Sequence, residues 1–306
     1  MAAERWLTVH SENERDVEVL VEGPDSGPVL IFHNGTPTAA VPFPPLSAPA
    51  TERGLRTVTF SRPGYAMSTP QPGRSVASVV VDTAAILDAL NEERFLTIGL
   101  SGGGPHALAC SALLPNRCAA AGTLGSSAPY GVAGLDWLAG MGPENIEEFG
   151  AAIDGDERLN PYLEREAAGL REVTGSDLAA ALGGLLSEVD KRALTDDYAE
   201  ILAQSFRRAV SAGIAGWRDD DLAFTRPWGF DLDTIRVPVT IWQGDEDRIV
   251  PFAHGKWLAA NIPGARWRLL PGDGHLSLVT HLERVLDELL VMASLPRQSV
   301  TPQDTL

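Results

Sequence analysis

The stretch "TIGLSGGGPHALAC", residues 97–110, runs from an apolar β-branched segment through a serine set among glycines and on into a segment that reads as a helix. Its centre, "GLSGG" at 99–103, has the form G-x-S-x-G between a strand and a helix, the context in which that pattern has a mechanical meaning. Glycines on both sides of Ser101 permit a sharp, strained turn that a Cβ would obstruct, so the hydroxyl is lifted out of the sheet edge. The helix that follows points its N-terminus at the same spot. The N–H of Gly102 and the positive end of the helix dipole can therefore stabilise an anion there. Two plainer readings compete, a packing turn and a phosphate loop. Gly102, Gly104 and Ala107 even fit the looser pattern G-x-G-x-x-A, but that fit lies mid-chain, gives Ser101 no role and has no acidic residue ending the next strand. A displayed nucleophile is the stronger reading.

Outward from the serine, short β-branched runs bounded by turn residues mark strands at 16–22, 28–33, 56–60 and 95–100. The last three lack strict alternation, as strands buried on both faces of a parallel sheet do. "SVASVVVDTAAILDALNEE" predicts a helix over 75–93, with an apolar stripe of Val79, Thr83, Ile86, Leu87 and Leu90. A helix after Ser101 should end near Pro115, and a strand should follow at about 119–124. From about 130 the strand-like runs give way to acidic, Ala/Leu-rich helical segments. The strand pattern resumes with "VPVTIWQG" at 237–244 and "ARWRLL" at 265–270, before a last helix. This order predicts one doubly wound α/β core from residues 1–130 and 234–295, interrupted by a helical cap at 131–233. The polar tail 296–306 reads as disordered.

Composition narrows the function classes. The 306 residues are 44% hydrophobic and 21% charged, as expected of a globular chain. A formal charge of −17 opposes phosphate backbones and anionic lipid surfaces, so no nucleic-acid or membrane partner is expected. The N-terminus carries acidic residues and lacks the apolar core of a signal peptide, and no stretch reaches the length of a membrane span. Cys110 and Cys118 cannot build a disulfide framework or a zinc cluster. The expectation is a cytoplasmic protein without cofactor or metal.

A serine hydroxyl is a poor nucleophile until a base takes its proton, so the elbow demands an acid and a histidine later in the chain. His275, in "PGDGHLS", stands in a glycine loop between the last strand and the last helix, beside the elbow at the carboxyl edge of such a sheet. His106, His254 and His281 fall in or near helices, and His10 lies upstream of the fold; these read as surface or packing residues. The acid belongs after the strand ending in "VTIWQ". Of Asp245, Glu246 and Asp247 there, Asp247 is the choice, with Asp245 as its competitor, because the turn returns the third residue after Gly244 over the sheet edge. The loop "HNGTP" at 33–37 should supply the second oxyanion N–H, from Thr36, since Gly35 frees the backbone and Pro37 has no N–H. His33 is expected to prop that loop by hydrogen bonding.

Together "GLSGG", "GDEDRIVP", "GDGH", "HNGTP" and "SRPGYAMS" at 61–68 resemble the α/β-hydrolase fold family, over about 17–294, and most of all its capped esterase and proline-iminopeptidase-like branch. The chain departs from relatives at Asn34, where many have Gly or His. It departs again at Gly102, where peptidases of that branch often carry Trp, which removes support from an aminopeptidase. Ser101 stands where the resemblance would place Asp in epoxide hydrolases and haloalkane dehalogenases. The resemblance implies acyl transfer to water through Ser101, His275 and Asp247, with Gly102 and Thr36 binding the oxyanion. For the pocket, Trp137, Met141, Trp217 and Trp228 are candidates among the large apolar residues of the cap. A mainly apolar pocket suits a small neutral ester or related acyl compound. A carbon–carbon bond hydrolase or peptidase using the same triad, or a non-hydrolytic binding protein on this fold, are the competing readings.

Overall fold

The computed structural model describes residues 3–294, so the tail 296–306 lies outside the described residues. Eight strands form one sheet in the order β1-β2-β4-β3-β5-β6-β7-β8. These are β1 (Ala3–Ser11), β2 (Arg15–Gly23), β3 (Val29–His33), β4 (Arg56–Phe60), β5 (Phe95–Leu100), β6 (Cys118–Leu124), β7 (Val239–Gly244) and β8 (Arg266–Leu270). The first two are antiparallel to their neighbours, and β3 through β8 run parallel to one another. The parallel register sets His33 opposite Gly99 and Leu100 opposite Leu124, so the carboxyl ends of β3, β5 and β6 finish side by side.

β3, β4, β6 and β7 are buried at every residue, which is why their sequences do not alternate. Successive side chains still enter different layers. Val29 and Ile31 pack with α2 (Val79–Ala89) and α3 (Gly103–Leu113), while Leu30 and Phe32 pack with α1 (Pro44–Glu52) and α11 (Leu282–Met292). On α11 the spacing of Leu282, Val285, Leu286 and Leu289 is the helical period that turns one stripe to the sheet.

Two elements differ from the sequence reading. β1 was not expected: it is an edge strand pairing only with β2, with Trp6 and His10 exposed, so no apolar run marks it, and His10 belongs to the sheet. The helix expected over 75–93 opens with a 3-10 turn at Val76–Ser78, held by Ser75 and Ser78, and its α-helical part ends at Ala89.

Between β6 and β7 run six helices, α4 (Pro143–Asp154), α5 (Asp156–Leu170), α6 (Gly175–Ala181), α7 (Glu188–Ala193), α8 (Asp196–Ala209) and α9 (Ala215–Phe224). α8 shows how they are specified. Thr195 accepts the Tyr198 N–H at its start, Asp196 and Asp197 occupy the first turn, and Arg207 and Arg208 the last, each charge matched to the helix dipole. After β7 come α10 (Phe252–Asn261) and, behind β8, a 3-10 turn at Leu276–His281. Among the described residues no helix is long and apolar enough to cross a membrane.

Candidate active site

Ser101 directly follows β5 with φ 55°, in the left-handed region that costs a residue with a Cβ about 1 kcal/mol or more. The turn is held by two backbone bonds, Ser101 N–H to Leu124 C=O at 2.8 Å and Gly104 N–H to Ser101 C=O at 2.9 Å. The glycines of the motif are explained by crowding. A Cβ on Gly99 would lie 2.3 Å from the Gly103 carbonyl oxygen, and one on Gly103 would lie 1.8 Å from that of His33. Helix α3 can therefore start against β3 and β5 only if both positions lack a side chain.

Asp247 and His275 meet across the loops after β7 and β8. His275 Nδ1 and Asp247 Oδ2 are 2.7 Å apart, and both residues are buried. Asp247 is fully engaged: Oδ1 accepts the N–H groups of Ile249 and Val250 at 2.9 and 2.8 Å, and Oδ2 also accepts Gln243 Nε2 at 2.9 Å. Asp245 is instead exposed and accepts the Gly272 N–H. A carboxylate only accepts, so Nδ1 of His275 carries the proton and Nε2 is left basic. Burial disfavours a charged imidazole here, but the Asp247 carboxylate outweighs it by charge and hydrogen bond, and the His275 pKa rises above 6.5.

The loop from Asn34 to Thr38 passes beside the elbow; a Cβ on Gly35 would lie 3.3 Å from that of Ser101. Among the described residues the Thr36 N–H has no backbone acceptor. His33 does not support this loop as expected. Its buried ring packs edge-on to Phe60, and among the described residues its Nδ1 has no hydrogen-bond partner while its Nε2 meets Cys110 Sγ at 3.6 Å. Arg62 takes that part, donating to the carbonyls of Asn34 (2.5 Å) and Gly35 (2.6 Å) and to Thr36 Oγ1 (2.9 Å).

Arg62 belongs to a buried cluster that sequence reading missed. Asp220 on α9 accepts from Arg62 Nη2 (2.7 Å), Arg74 Nη1 (2.5 Å), the Tyr65 hydroxyl (2.9 Å) and the Thr36 hydroxyl (2.9 Å). Burial opposes an ionised Asp220, yet the charges of Arg62 and Arg74 prevail and hold its carboxyl well below the usual carboxylate range. The nearby His106 imidazole is pushed down to about 4 by burial and stays neutral.

Ser101, Gly102, Thr36 and His275 all line one cavity of ≈ 410 Å³ between the sheet edge and the helices that follow β6. Trp137, Met141 and Trp217 line it as well, together with Phe43, Phe149, Phe206 and Phe224. Trp228 does not. It is buried in the core beside Phe230, its backbone carbonyl taken by the Ala77 N–H, because the segment after α9 has already returned to the body of the sheet. The cavity's charged side chains besides His275 are all acidic: Glu144, Glu148 and Glu166. Glu148 accepts Trp217 Nε1 at 2.7 Å and faces the buried Asp221, a contact that is favourable only while one of the two carboxyls holds a proton. Burial is the larger cause that pushes Glu148 up to about 7. Among the described residues no group of three or more His, Cys, Asp or Glu side chains is arranged to hold a metal ion.

A family model described as alpha/beta hydrolase fold matches residues 28–282, and the chain belongs to that family. It is 27% identical to a pimeloyl-[acyl-carrier protein] methyl ester esterase of Aromatoleum aromaticum, over 77% of this chain and 86% of that one. It is also 27% identical to a non-heme chloroperoxidase of Streptomyces lividans, over 88% and 92% of the two chains. The fold matches that of an enol-lactonase from Burkholderia xenovorans at a TM-score of 0.67, with 19% identity, over 94% of this chain and all of the other. The protein is an α/β-hydrolase enzyme.

Proposed function

We propose that this enzyme is a serine hydrolase acting on a small, neutral, moderately hydrophobic ester. The observation that carries the reading is the buried His275–Asp247 bond on the cavity that also displays Ser101 from a left-handed turn. In this mechanism Ser101 Oγ attacks the ester carbonyl and gives its proton to His275 Nε2. Asp247 keeps the ring in the required tautomer and stabilises its charged form, and the N–H groups of Gly102 and Thr36 bind the oxyanion. His275 then protonates the departing alcohol. It next takes a proton from water, whose oxygen attacks the acyl-enzyme and frees the acid and Ser101.

The cavity's composition favours a neutral ester over the competing readings. Its walls are largely aromatic and aliphatic, and among the described residues no Lys or Arg lines it to hold a substrate carboxylate. A carbon–carbon bond hydrolase for an acidic diketone would want basic groups there instead. The methyl ester esterase of Aromatoleum aromaticum supports ester chemistry by likeness. A hydroxyl at position 101, where an epoxide hydrolase of this fold would carry a carboxylate, also supports acyl transfer.

A series of p-nitrophenyl esters of increasing acyl length, run beside Ser101→Ala, tests the reading. Turnover by the natural enzyme, lost in the variant, is the expected result, with the length preference set by the cavity. A folded natural enzyme inert to the whole series would overturn it.

A further inference from the structure

Of the buried ionisable groups that the proposed mechanism leaves idle, Asp190 is the one that holds the backbone next to His275. It lies on α7, within the segment between β6 and β7, and is fully buried. Its Oδ1 accepts the N–H of Leu276 at 2.7 Å and of Ser277 at 3.0 Å, the two residues directly after His275. Its Oδ2 accepts the Ser187 hydroxyl at 2.9 Å, and Ser187 in turn accepts the Asp190 N–H. Every oxygen is therefore placed by a named donor. On the other side, a Cβ on Gly274 would fall 2.4 Å from both carboxylate oxygens, so the backbone before His275 also rests against this group. The 3-10 turn that begins after His275 receives no hydrogen bond from the histidine's own side chain at its start; Asp190, 86 residues away, supplies it.

We propose that Asp190 is a positioning residue for His275: it anchors the backbone on both sides of the histidine and sets a second fixed negative charge behind the imidazole. The idea rests on the hydrolase reading for its catalytic meaning, though not for its measurement. Two carboxylates then act on one ring, Asp247 at Nδ1 and Asp190 through the backbone that carries it, and both favour the charged imidazole. The other charged groups around His275 are paired with other side chains or exposed to solvent. Asp273, on its own loop, accepts the Ser277 hydroxyl and pairs with His281 Nε2 at 3.0 Å. From the β7 loop Asp245, Glu246 and Arg248 are exposed, as are Lys191 and Arg192 beside Asp190 on α7. α7 lies in the chain between Leu185 and Tyr198, which both line the cavity, so this contact ties that segment to the histidine.

The test is a titration of the His275 ring by NMR on histidine-labelled full-length protein, with His275→Gln assigning the signal. Asp190→Asn keeps an oxygen for the two N–H groups while removing the charge, and should move the His275 midpoint to lower pH. Gly274→Ala, which adds a carbon where the carboxylate sits, should displace Asp190 and move the midpoint the same way. In ester hydrolysis the acid limb of kcat/KM should follow both shifts. Asp190→Ala, which frees the loop, should cost about 10²-fold in kcat with a smaller change in KM. A merely structural staple would lower Tm in these variants and leave the titration midpoint unmoved; superposable titrations for the natural protein, Asp190→Asn and Gly274→Ala overturn the proposal. Since the NMR readout needs no substrate, absence of ester turnover would count against the hydrolase reading alone.

Discussion

Ser101 stores strain where the chemistry is proposed to occur. Its φ of 55° means that Ser101→Gly should raise stability by up to about 1 kcal/mol in urea unfolding while abolishing hydrolysis. Ser101→Ala, which keeps the Cβ, should abolish hydrolysis without that gain; a Gly variant less stable than the Ala variant would contradict the account. Asp247→Asn preserves the packing but leaves Nδ1 facing an amide that no longer selects the tautomer, and should cut kcat by about 10⁴-fold. His275 must be neutral to act as a base, and its pKa lies above 6.5. The kcat/KM profile should therefore fall on the acid side from a midpoint above 6.5, and a midpoint below that value would refute the assigned environment. The placing of Ser101, Asp247 and His275 at one edge of the sheet was legible in the sequence because each is announced locally: a glycine-flanked serine after a strand, an acid three residues past Gly244, a histidine in a glycine loop. Choosing Asp247 over Asp245 needed only the direction of one turn. His33 was misread because a histidine at a strand end looks like a loop prop, whereas its ring turns into the core against Phe60.

At the scale of elements, α9 is joined to the loop beside the elbow through Asp220. The aspartate stands 158 residues from Arg62 and 146 from Arg74. No spacing in the sequence relates them, and "DDD" at 219–221 looks like a solvated acidic face, which is why this cluster was invisible before the fold was known. Removing one member of a buried charge cluster leaves the others uncompensated. Asp220→Asn should cost about 3–5 kcal/mol in urea unfolding, and because Arg62 also holds the Asn34 and Gly35 carbonyls, kcat should fall as well. A loss under about 1 kcal/mol, within the range of surface pairs, would show that the cluster does not carry the loop. β1 escaped sequence reading for a different reason: an edge strand exposed on one face has no apolar run to announce it.

Across the whole molecule, pH acts on stability through the wall of the cavity. Burial pushes Glu148 up from its ordinary value of 4.5 to about 7 in the folded chain, outweighing the hydrogen bonds with Trp217 and Asp221 that act the other way. The folded state thus holds this proton more tightly than the unfolded state, and stability falls as pH rises from about 4.5 to 7. Glu148→Gln should flatten that part of the stability curve; unchanged pH dependence of Tm between 5 and 8 would contradict it. Asp220 has the opposite sign: its folded pKa is depressed, so its contribution persists at neutral pH and is lost only in acid below the ordinary carboxylate range. The α/β order of elements was readable from sequence because buried parallel strands and amphipathic helices each leave a period. Which side chains line the cavity was not, since Trp137 and Trp217 differ from Trp228 only in how the chain carries them after the sheet is interrupted.

The most direct test of the central claim is intact-mass analysis after exposure to a fluorophosphonate, which reports an activated serine without any choice of ester. The account predicts a single stoichiometric adduct that peptide mapping places on Ser101, absent in Ser101→Ala and strongly slowed in His275→Gln. A folded enzyme that stays unlabelled, or that labels equally well without His275, would contradict a Ser101–His275–Asp247 mechanism.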